Sequence, residues 1–153
     1  MVFFFYMEFF HWLTNQFSVD GRIEYATWYS LLEKPFFAPP AVTFGIAWGI
    51  IYPLIALAFV WTIYLYYKKH AVSRGFLWLF ILNLVLNLTF TATALGFKNN
   101  ALSSLHILLV LGTLVWLALK AWRSSKVIFV LLVPYLLWGA FATVLQISIT
   151  ALN

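Results

Sequence analysis

The chain has 153 residues and a mass of 17.7 kDa, and 65% of the residues are hydrophobic, against about 45 to 50% in an ordinary soluble domain. Nine Lys and Arg and four Asp and Glu give a formal net charge of +5, and so few charges cannot solvate the surface of a soluble domain of this size. The composition therefore excludes a water-soluble globular protein. The absence of cysteine excludes disulfides, thiolate metal sites and cysteine nucleophiles.

Long runs without charge predict the membrane crossings, because a helix needs about 20 mostly apolar residues to cross about 30 Å of hydrocarbon. The first run is interrupted by Glu8 and lacks the basic start and small-residue cleavage site of a signal peptide, so we predict that it stays in the mature protein. Backbone amides in lipid must be satisfied within each segment. The runs thus predict an all-α membrane protein, a single domain over residues 1–153 with five transmembrane helices. These predicted spans 1 to 5 cover residues 2–19, 43–67, 75–97, 99–119 and 127–150.

The connections predict topology and orientation. Residues 20–42 form one long loop that is rich in aromatic residues, whereas the later connections are short and require up-down packing of consecutive helices. The connections Lys68 to Arg74 and Lys120 to Lys126 carry three Lys or Arg each. Basic residues in short loops favour the cytoplasmic side, so we predict that these two loops are cytoplasmic and that the long loop is outside. A basic excess of this size fits membrane lipid and does not indicate nucleic acid.

Polar and aromatic side chains at helical spacing are candidates for a binding site. Asn83 and Asn87 lie four residues apart on a face of span 3 that should turn inward, since an unpaired amide in lipid costs several kcal/mol. Similar stripes on spans 2 and 5 either converge with this pair on one pocket or serve ordinary aromatic packing. They consist of Trp48 and Tyr52 on span 2 and of Tyr135, Trp138 and Ala142 on span 5.

Signals for catalysis and for metal binding are weak. The carboxylates form no pair at membrane depth, and the three histidines lie in different segments without the spacing of metal ligands, so no metal site is predicted. Glu8 and His11 share one helical face and form either a proton-linked pair of the kind found in transport pathways or a group at headgroup level. His106 either lines an interior cavity or bonds a neighbouring helix.

Two small-residue motifs allow close approach of helices. One is Gly45-x-x-x-Gly49 on span 2 and the other is Ala92-x-x-x-Gly96 on span 3. Each serves either packing within the chain or the seam of a dimer.

Three blocks, in order along the chain, resemble the family of the tryptophan-rich sensory protein (TspO) and the mitochondrial translocator protein. The first is WYSLLEKPFFAPP at residues 28–40, followed by Phe44 and Trp48. The second is NLVLN at residues 83–87 with Phe90 and Thr91. The third is PYLLWGAFAT at residues 134–143, ending in Leu152-Asn153. The resemblance covers residues 28–153.

The resemblance implies a five-helix bundle, usually a homodimer, whose long loop is a lid over a pocket that binds porphyrins and, in some members, sterols or benzodiazepine-site drugs. We expect this chain to lie in a prokaryotic cell membrane. By position, Trp48 and Trp138 match two tryptophans tied to porphyrin binding and breakdown in bacterial members, and Tyr29 matches a lid tyrosine. The other matching positions are Tyr52, Asn83, Asn87 and Ala142 in the pocket lining, and Ala92 and Gly96 in the dimer seam.

The sequence departs from the family pattern at several positions. Phe37 and Phe90 stand where members usually or often carry Trp, so the aromatic surface remains but the indole N–H donor does not. Pro53, one residue after Tyr52, removes an amide and should kink the helix near the pocket mouth. Residues 144–153 contain neither Arg nor Lys, which does not support the sterol recognition seen in animal members.

We therefore expect an integral membrane protein that binds protoporphyrin IX or a related tetrapyrrole in an aromatic intramembrane pocket, with no cofactor required. The binding would serve sensing, transport, or oxidative or light-dependent degradation. Because the chain has no conventional catalytic constellation, its status as an enzyme stays open. The alternatives are a small proton-coupled exporter that uses Glu8 and a scaffold with a vestigial pocket.

Overall fold

A computed structural model describes residues 27–153, apart from the side chains at positions 91, 92, 95 and 96. Every regular element in this part of the chain is helical, which confirms the predicted all-α fold. Span 1, with Glu8 and His11, lies outside the described residues. A short helix α1 covers residues 27–31 in the lid, and four long helices correspond to spans 2 to 5: α2 (Ala41–Tyr64), α3 (Arg74–Phe97), α4 (Asn100–Ser124) and α5 (Lys126–Leu152).

The long helices are those of a membrane protein. Three described stretches are long and apolar enough to cross a bilayer, and α3 contributes a shorter apolar stretch over Arg74–Phe90. The three are Ala41–Lys69, Asn100–Ser124 and Lys126–Leu152. Large apolar side chains such as Leu57 and Leu137 are 58% and 67% exposed. Among the buried residues are polar Thr62, Asn83 and Thr143, a distribution that suits lipid as the surrounding solvent.

Local sequence determines where the helices begin and end. The side chains of Ser73 and Asn99 each accept a hydrogen bond from the backbone N–H three residues on, at 3.1 and 3.0 Å, and so cap α3 and α4. Helix α4 extends to Ser124, beyond the predicted end at residue 119, and Ser125 alone separates it from α5. The predicted Lys120 to Lys126 connection is therefore largely helical, because charged side chains near a helix end can reach headgroups while the backbone continues.

Helix α2 runs unbroken past Pro53 and ends in a π-helical turn over Leu65–Lys69, after which His70 adopts a left-handed conformation with φ 51°. The effect of Pro53 on the pocket mouth stays a prediction. Lys98, with φ 44°, makes the equivalent break between α3 and α4.

The four long helices form an up-down bundle. Helix α4 packs between α3 and α5, and α2 packs on the other side of α5 while making little contact with α3. The Thr150 hydroxyl donates to the Asn100 carbonyl at 3.0 Å, so the end of α5 lies beside the start of α4. The basic connections consequently lie at one end of the bundle, and the lid, Lys98 and Asn153 lie at the other.

Candidate functional site

A cavity of about 650 Å³ lies between the lid and the outer ends of the helices. Its volume falls within the range of about 300 to 1,000 Å³ that is typical of small-molecule sites. The lid and all four long helices contribute to its walls, which are mostly apolar. The lining residues are Tyr29, Ser30, Lys34, Pro39, Ala41, Phe44, Phe90, Ile107, Ala142, Leu145, Gln146 and Ile149.

The polar lining comes mainly from the lid. Lys34 places its ammonium 4.8 Å from the centroid of the Tyr29 ring and donates to the Leu32 carbonyl at 3.3 Å. The Ser30 hydroxyl donates to the Thr27 carbonyl at 2.7 Å. Burial raises the pKa of Tyr29, so its phenol is neutral at physiological pH. The lid therefore offers the cavity one cation and two neutral hydroxyl groups.

Gln146 is the polar residue of the lining that sequence reasoning missed. Its Nε2 donates to the Thr150 hydroxyl at 3.4 Å, and Thr150 in turn shares a hydrogen bond of 2.7 Å with Ser104 on α4. The signal was present, because a glutamine inside an otherwise apolar span is costly unless it is paired or faces a polar cavity. Gln146 thus gives α5 a polar group opposite the lid.

Of the predicted site residues, Tyr29 and Ala142 line the cavity directly. The others lie deeper on the same three helices as the wall residues Phe44, Phe90 and Ala142. Because a helix rises about 1.5 Å per residue, a step of three or four positions lowers a side chain by about 5 to 6 Å. The first layer below the wall holds Trp48, Asn87 and Trp138, and the second holds Tyr52, Asn83 and Tyr135.

Ring contacts connect the cavity wall with Trp138. The Trp138 ring meets Phe44 edge to face with 5.5 Å between centroids, and Phe141 lies 5.4 Å away. Phe37 of the lid reaches the same group, at 6.4 Å from Phe141. Trp138 also lines a second, open groove of about 360 Å³ together with Leu137. Phe44 thus both lines the lid cavity and contacts the Trp138 indole.

Trp48 belongs to a neighbouring aromatic group. It stacks on Tyr52 at 4.8 Å and lies 6.2 Å from the Tyr135 ring. Neither Trp48 nor Trp138 lines the cavity, so in this structure the two indoles lie in the seam between α2 and α5 rather than on its walls. Their role in ligand binding stays a prediction.

The second layer is polar. The Asn83 amide nitrogen donates to the Val110 carbonyl at 3.0 Å and to the Thr113 hydroxyl at 2.8 Å, which ties α3 to α4. The Tyr135 hydroxyl lies near the side chains of Asn87, Asn83 and Tyr52 without forming a hydrogen bond to a described residue. The stripes predicted on spans 2, 3 and 5 thus meet inside the bundle.

Three polar atoms in these layers are buried and have no hydrogen-bond partner among the described residues. They are the Asn83 side-chain oxygen, the Tyr135 hydroxyl and the Trp138 indole nitrogen. Each such atom lowers the free energy of unfolding by about 1 to 3 kcal/mol when it is left without a hydrogen-bond partner. Together they provide an acceptor, a hydroxyl that both donates and accepts, and a donor.

His106 bonds a neighbouring helix, the second of the two interpretations that the sequence left open. Its Nε2 donates to the Leu86 carbonyl at 2.9 Å, and its Nδ1 lies 3.0 Å from the Thr93 hydroxyl. Its ring also meets Phe90 edge to face at 5.7 Å. His106 therefore supports a cavity-wall residue from behind. Over residues 27–153, no group of His, Asp and Glu is arranged to hold a metal ion.

The small-residue motifs have different outcomes. A Cβ atom built at Gly45 or Gly49 would meet nothing within 4 Å, so neither glycine makes a close helix contact among the described residues. Ala92 and Gly96 lie in α3, but their side chains are outside the described part, and the dimer seam stays a prediction.

Fold and cavity together define a class, the multi-span helical membrane proteins with a lid over an aromatic cavity. The model of the TspO/MBR family matches residues 3–152. The chain is 38% identical over 128 residues to the tryptophan-rich protein TspO of Bacillus cereus, covering 83% of this chain and 81% of that protein. It is 34% identical over 129 residues to the tryptophan-rich protein TspO of Chlorobaculum tepidum, covering 84% and 81%. The chain belongs to the TspO/MBR family, as its sequence blocks indicated.

A relative from a eukaryote is also similar. The translocator protein homolog of Schizosaccharomyces pombe is 28% identical over 130 residues, covering 82% of this chain and 77% of that protein.

Proposed function

We propose that the protein binds protoporphyrin IX, or a related tetrapyrrole, in the cavity beneath the lid and that this binding serves sensing, transport or degradation of the pigment. The observation that carries the proposal is the cavity itself. Its volume of about 650 Å³ suits a ligand of this size, and its walls combine aromatic and aliphatic side chains with a few polar groups at the lid.

The chemistry of the walls matches that of a porphyrin. The macrocycle is flat and largely apolar, with carboxylates along one edge, so it needs aromatic faces and a cationic or neutral donor at the rim. Phe44, Phe90 and Tyr29 offer faces, and Lys34 and Gln146 offer polar groups. Lys34 is exposed, so its attraction for a carboxylate is modest and contributes orientation more than affinity.

The two layers of side chains below the cavity wall contain further groups that a ligand would contact. A ligand in the cavity that also contacts Trp138 would do so beside the Phe44 ring, which lines the cavity and meets that indole edge to face. In the layers below the wall, the Asn83 side-chain oxygen would accept a hydrogen bond from a ligand N–H, and the Trp138 indole nitrogen would donate one to a ligand carboxylate. The Tyr135 hydroxyl would do either. We propose that bound pigment reaches this layer, with Trp48 and Trp138 as the oxidisable side chains beside it. The pigment itself supplies the photochemistry, so no general base is needed.

The proposal also covers orientation and assembly. The Lys68 to Arg74 and Lys120 to Lys126 segments would face the cytoplasm, which puts the lid on the outside. Two copies would associate along α3 through Ala92 and Gly96. Drug-like ligands of the benzodiazepine-site type would compete for the same cavity as the porphyrin.

The test is an equilibrium titration of purified protein in detergent with protoporphyrin IX, followed by the porphyrin absorption band and by quenching of tryptophan fluorescence. We expect saturable binding, with weaker affinity and slower light-dependent pigment loss for Trp48→Phe and Trp138→Phe. Trp116→Phe is the matched control, because Trp116 is 57% exposed on α4 and contributes to neither cavity nor seam. Absence of saturable binding would overturn the proposal and favour the exporter that uses Glu8 or the scaffold.

A further inference from the structure

Asn153, directly after α5, binds the backbone of the lid. Its side-chain oxygen accepts a hydrogen bond from the Glu33 N–H at 2.9 Å, and its amide nitrogen donates to the Glu33 carbonyl at 3.0 Å. The same nitrogen also donates to the Ile149 carbonyl at 2.9 Å, one turn back in α5. One carboxamide therefore satisfies both backbone groups of a residue 120 positions away and is itself held in place by its own helix.

The bonded residue lies within the part of the lid that covers the cavity. Glu33 is followed directly by the lining residue Lys34, and the lining residues Tyr29 and Ser30 precede it within about one helical turn. The Ser30 hydroxyl bonds within the lid, to Thr27, so it does not tie the lid to the bundle. The backbone clamp at Glu33 therefore holds the lid segment that carries these three lining residues.

The hydrogen bonds between Asn153 and Glu33 favour the closed position of the lid but are weak enough for the lid to open. Asn153 and Glu33 are both exposed, so their hydrogen bonds compete with bonds to water and contribute toward the low end of the usual range. Segments held by such exposed bonds open locally at low cost. The arrangement suits a lid that closes by default and opens often.

From this geometry we infer that Asn153 is a positioning residue, a latch that closes the lid over the cavity and thereby sets the rates at which ligand enters and leaves. The inference rests on the proposed function only for the identity of the ligand. The latch acts on the lid whether or not the cavity is filled. Loss of the latch should therefore raise the association and dissociation rate constants together and leave the dissociation constant nearly unchanged.

Two variants separate hydrogen bonding from packing. Asn153→Ala removes the carboxamide. Asn153→Asp keeps its shape but turns a carboxylate toward the Glu33 and Ile149 carbonyls, so we expect it to release the lid as Asn153→Ala does. Ser148→Ala is the matched control, because among residues 27–153 the Ser148 hydroxyl bonds only within α5, to the Val144 carbonyl at 2.8 Å.

The first measurement needs no ligand. Hydrogen exchange of peptides covering residues 29–37, in the full chain in detergent, should be about fivefold faster in both Asn153 variants than in the wild type and in Ser148→Ala. The second measurement is stopped-flow mixing with protoporphyrin IX, in which both rate constants should rise about fivefold while the dissociation constant changes less than twofold.

The outcomes are distinguishable. Unchanged exchange in both variants, or wild-type behaviour of Asn153→Asp, overturns the latch even if porphyrin binds. A rise in the dissociation rate alone also overturns it, because it would show that Asn153 contacts the ligand. Faster exchange in a protein that binds no porphyrin supports the latch and overturns the proposed function.

Discussion

Asn83 and Asn87 occupy successive turns of α3, and the structure separates their roles. Asn83 donates to Val110 and Thr113 on α4, whereas Asn87 lies near the Tyr135 hydroxyl. We predict that Asn83→Ala destabilises the bundle and that Asn87→Ala leaves its stability nearly unchanged. From the sequence alone, the same role would be predicted for both asparagines.

The expected magnitude follows from the two lost hydrogen bonds. Side-chain hydrogen bonds between helices in membranes average about 0.6 kcal/mol, with a maximum of about 1.7 kcal/mol. Asn83 is completely buried, so water cannot replace either donor contact. We therefore expect Asn83→Ala to lower the free energy of unfolding by about 1 to 2 kcal/mol, and Thr113→Val, which removes one of the two acceptors, by about half as much.

The assay is reversible unfolding of the protein in mixed micelles, followed by tryptophan fluorescence, with each variant compared at the same lipid-to-detergent ratio. A double-mutant cycle between Asn83→Ala and Thr113→Val should give a coupling of about 0.6 kcal/mol. Equal stability of the Asn83 and Asn87 variants, or a coupling near zero, would show that the α3 to α4 bonds do not hold the bundle.

Two further predictions concern the lid cation and the histidine. Lys34→Gln should weaken binding of protoporphyrin IX about two- to fivefold in a titration and leave binding of its dimethyl ester unchanged, because the exposed Lys34 ammonium would attract the porphyrin through its carboxylates, which the ester lacks. An equal loss for acid and ester would contradict this. His106→Phe should lower the free energy of unfolding by about 1 kcal/mol, since it removes the bonds to Leu86 and Thr93 on α3. An unshifted unfolding midpoint would contradict that role.

The placement of the four long helices among the described residues follows from the sequence, because membrane spans are selected by length and charge, both of which are local properties. The starts of α3 and α4 were also readable, since Ser73 and Asn99 are ordinary N-cap residues. The end of α4 was not. Lys120 and Arg123 interrupt the hydropathy pattern, but they do not interrupt the helix.

The site was predictable only in part. Helical periodicity correctly predicted that Trp48, Asn83 and Trp138 turn toward neighbouring helices. It could not show that Phe44 lines the cavity whereas Trp138, which contacts Phe44, does not. The clamp between Asn153 and Glu33 joins residues 120 positions apart and depends on the tertiary fold. The spacing of residues in the sequence predicts which face of a helix they share. How deep each residue lies below the lid depends on how the helices pack, which the spacing does not determine.

A protoporphyrin IX titration of Ala142→Phe beside Ala140→Phe determines whether the ligand binds beneath the lid. Ala142 lines the cavity, whereas Ala140 is exposed on the outer face of the same helix, so the two substitutions are chemically identical and differ only in position. With both variants folded as judged by thermal unfolding, we expect at least about tenfold weaker binding for Ala142→Phe and wild-type binding for Ala140→Phe. Equal affinities in the two variants would place the ligand somewhere other than beneath the lid.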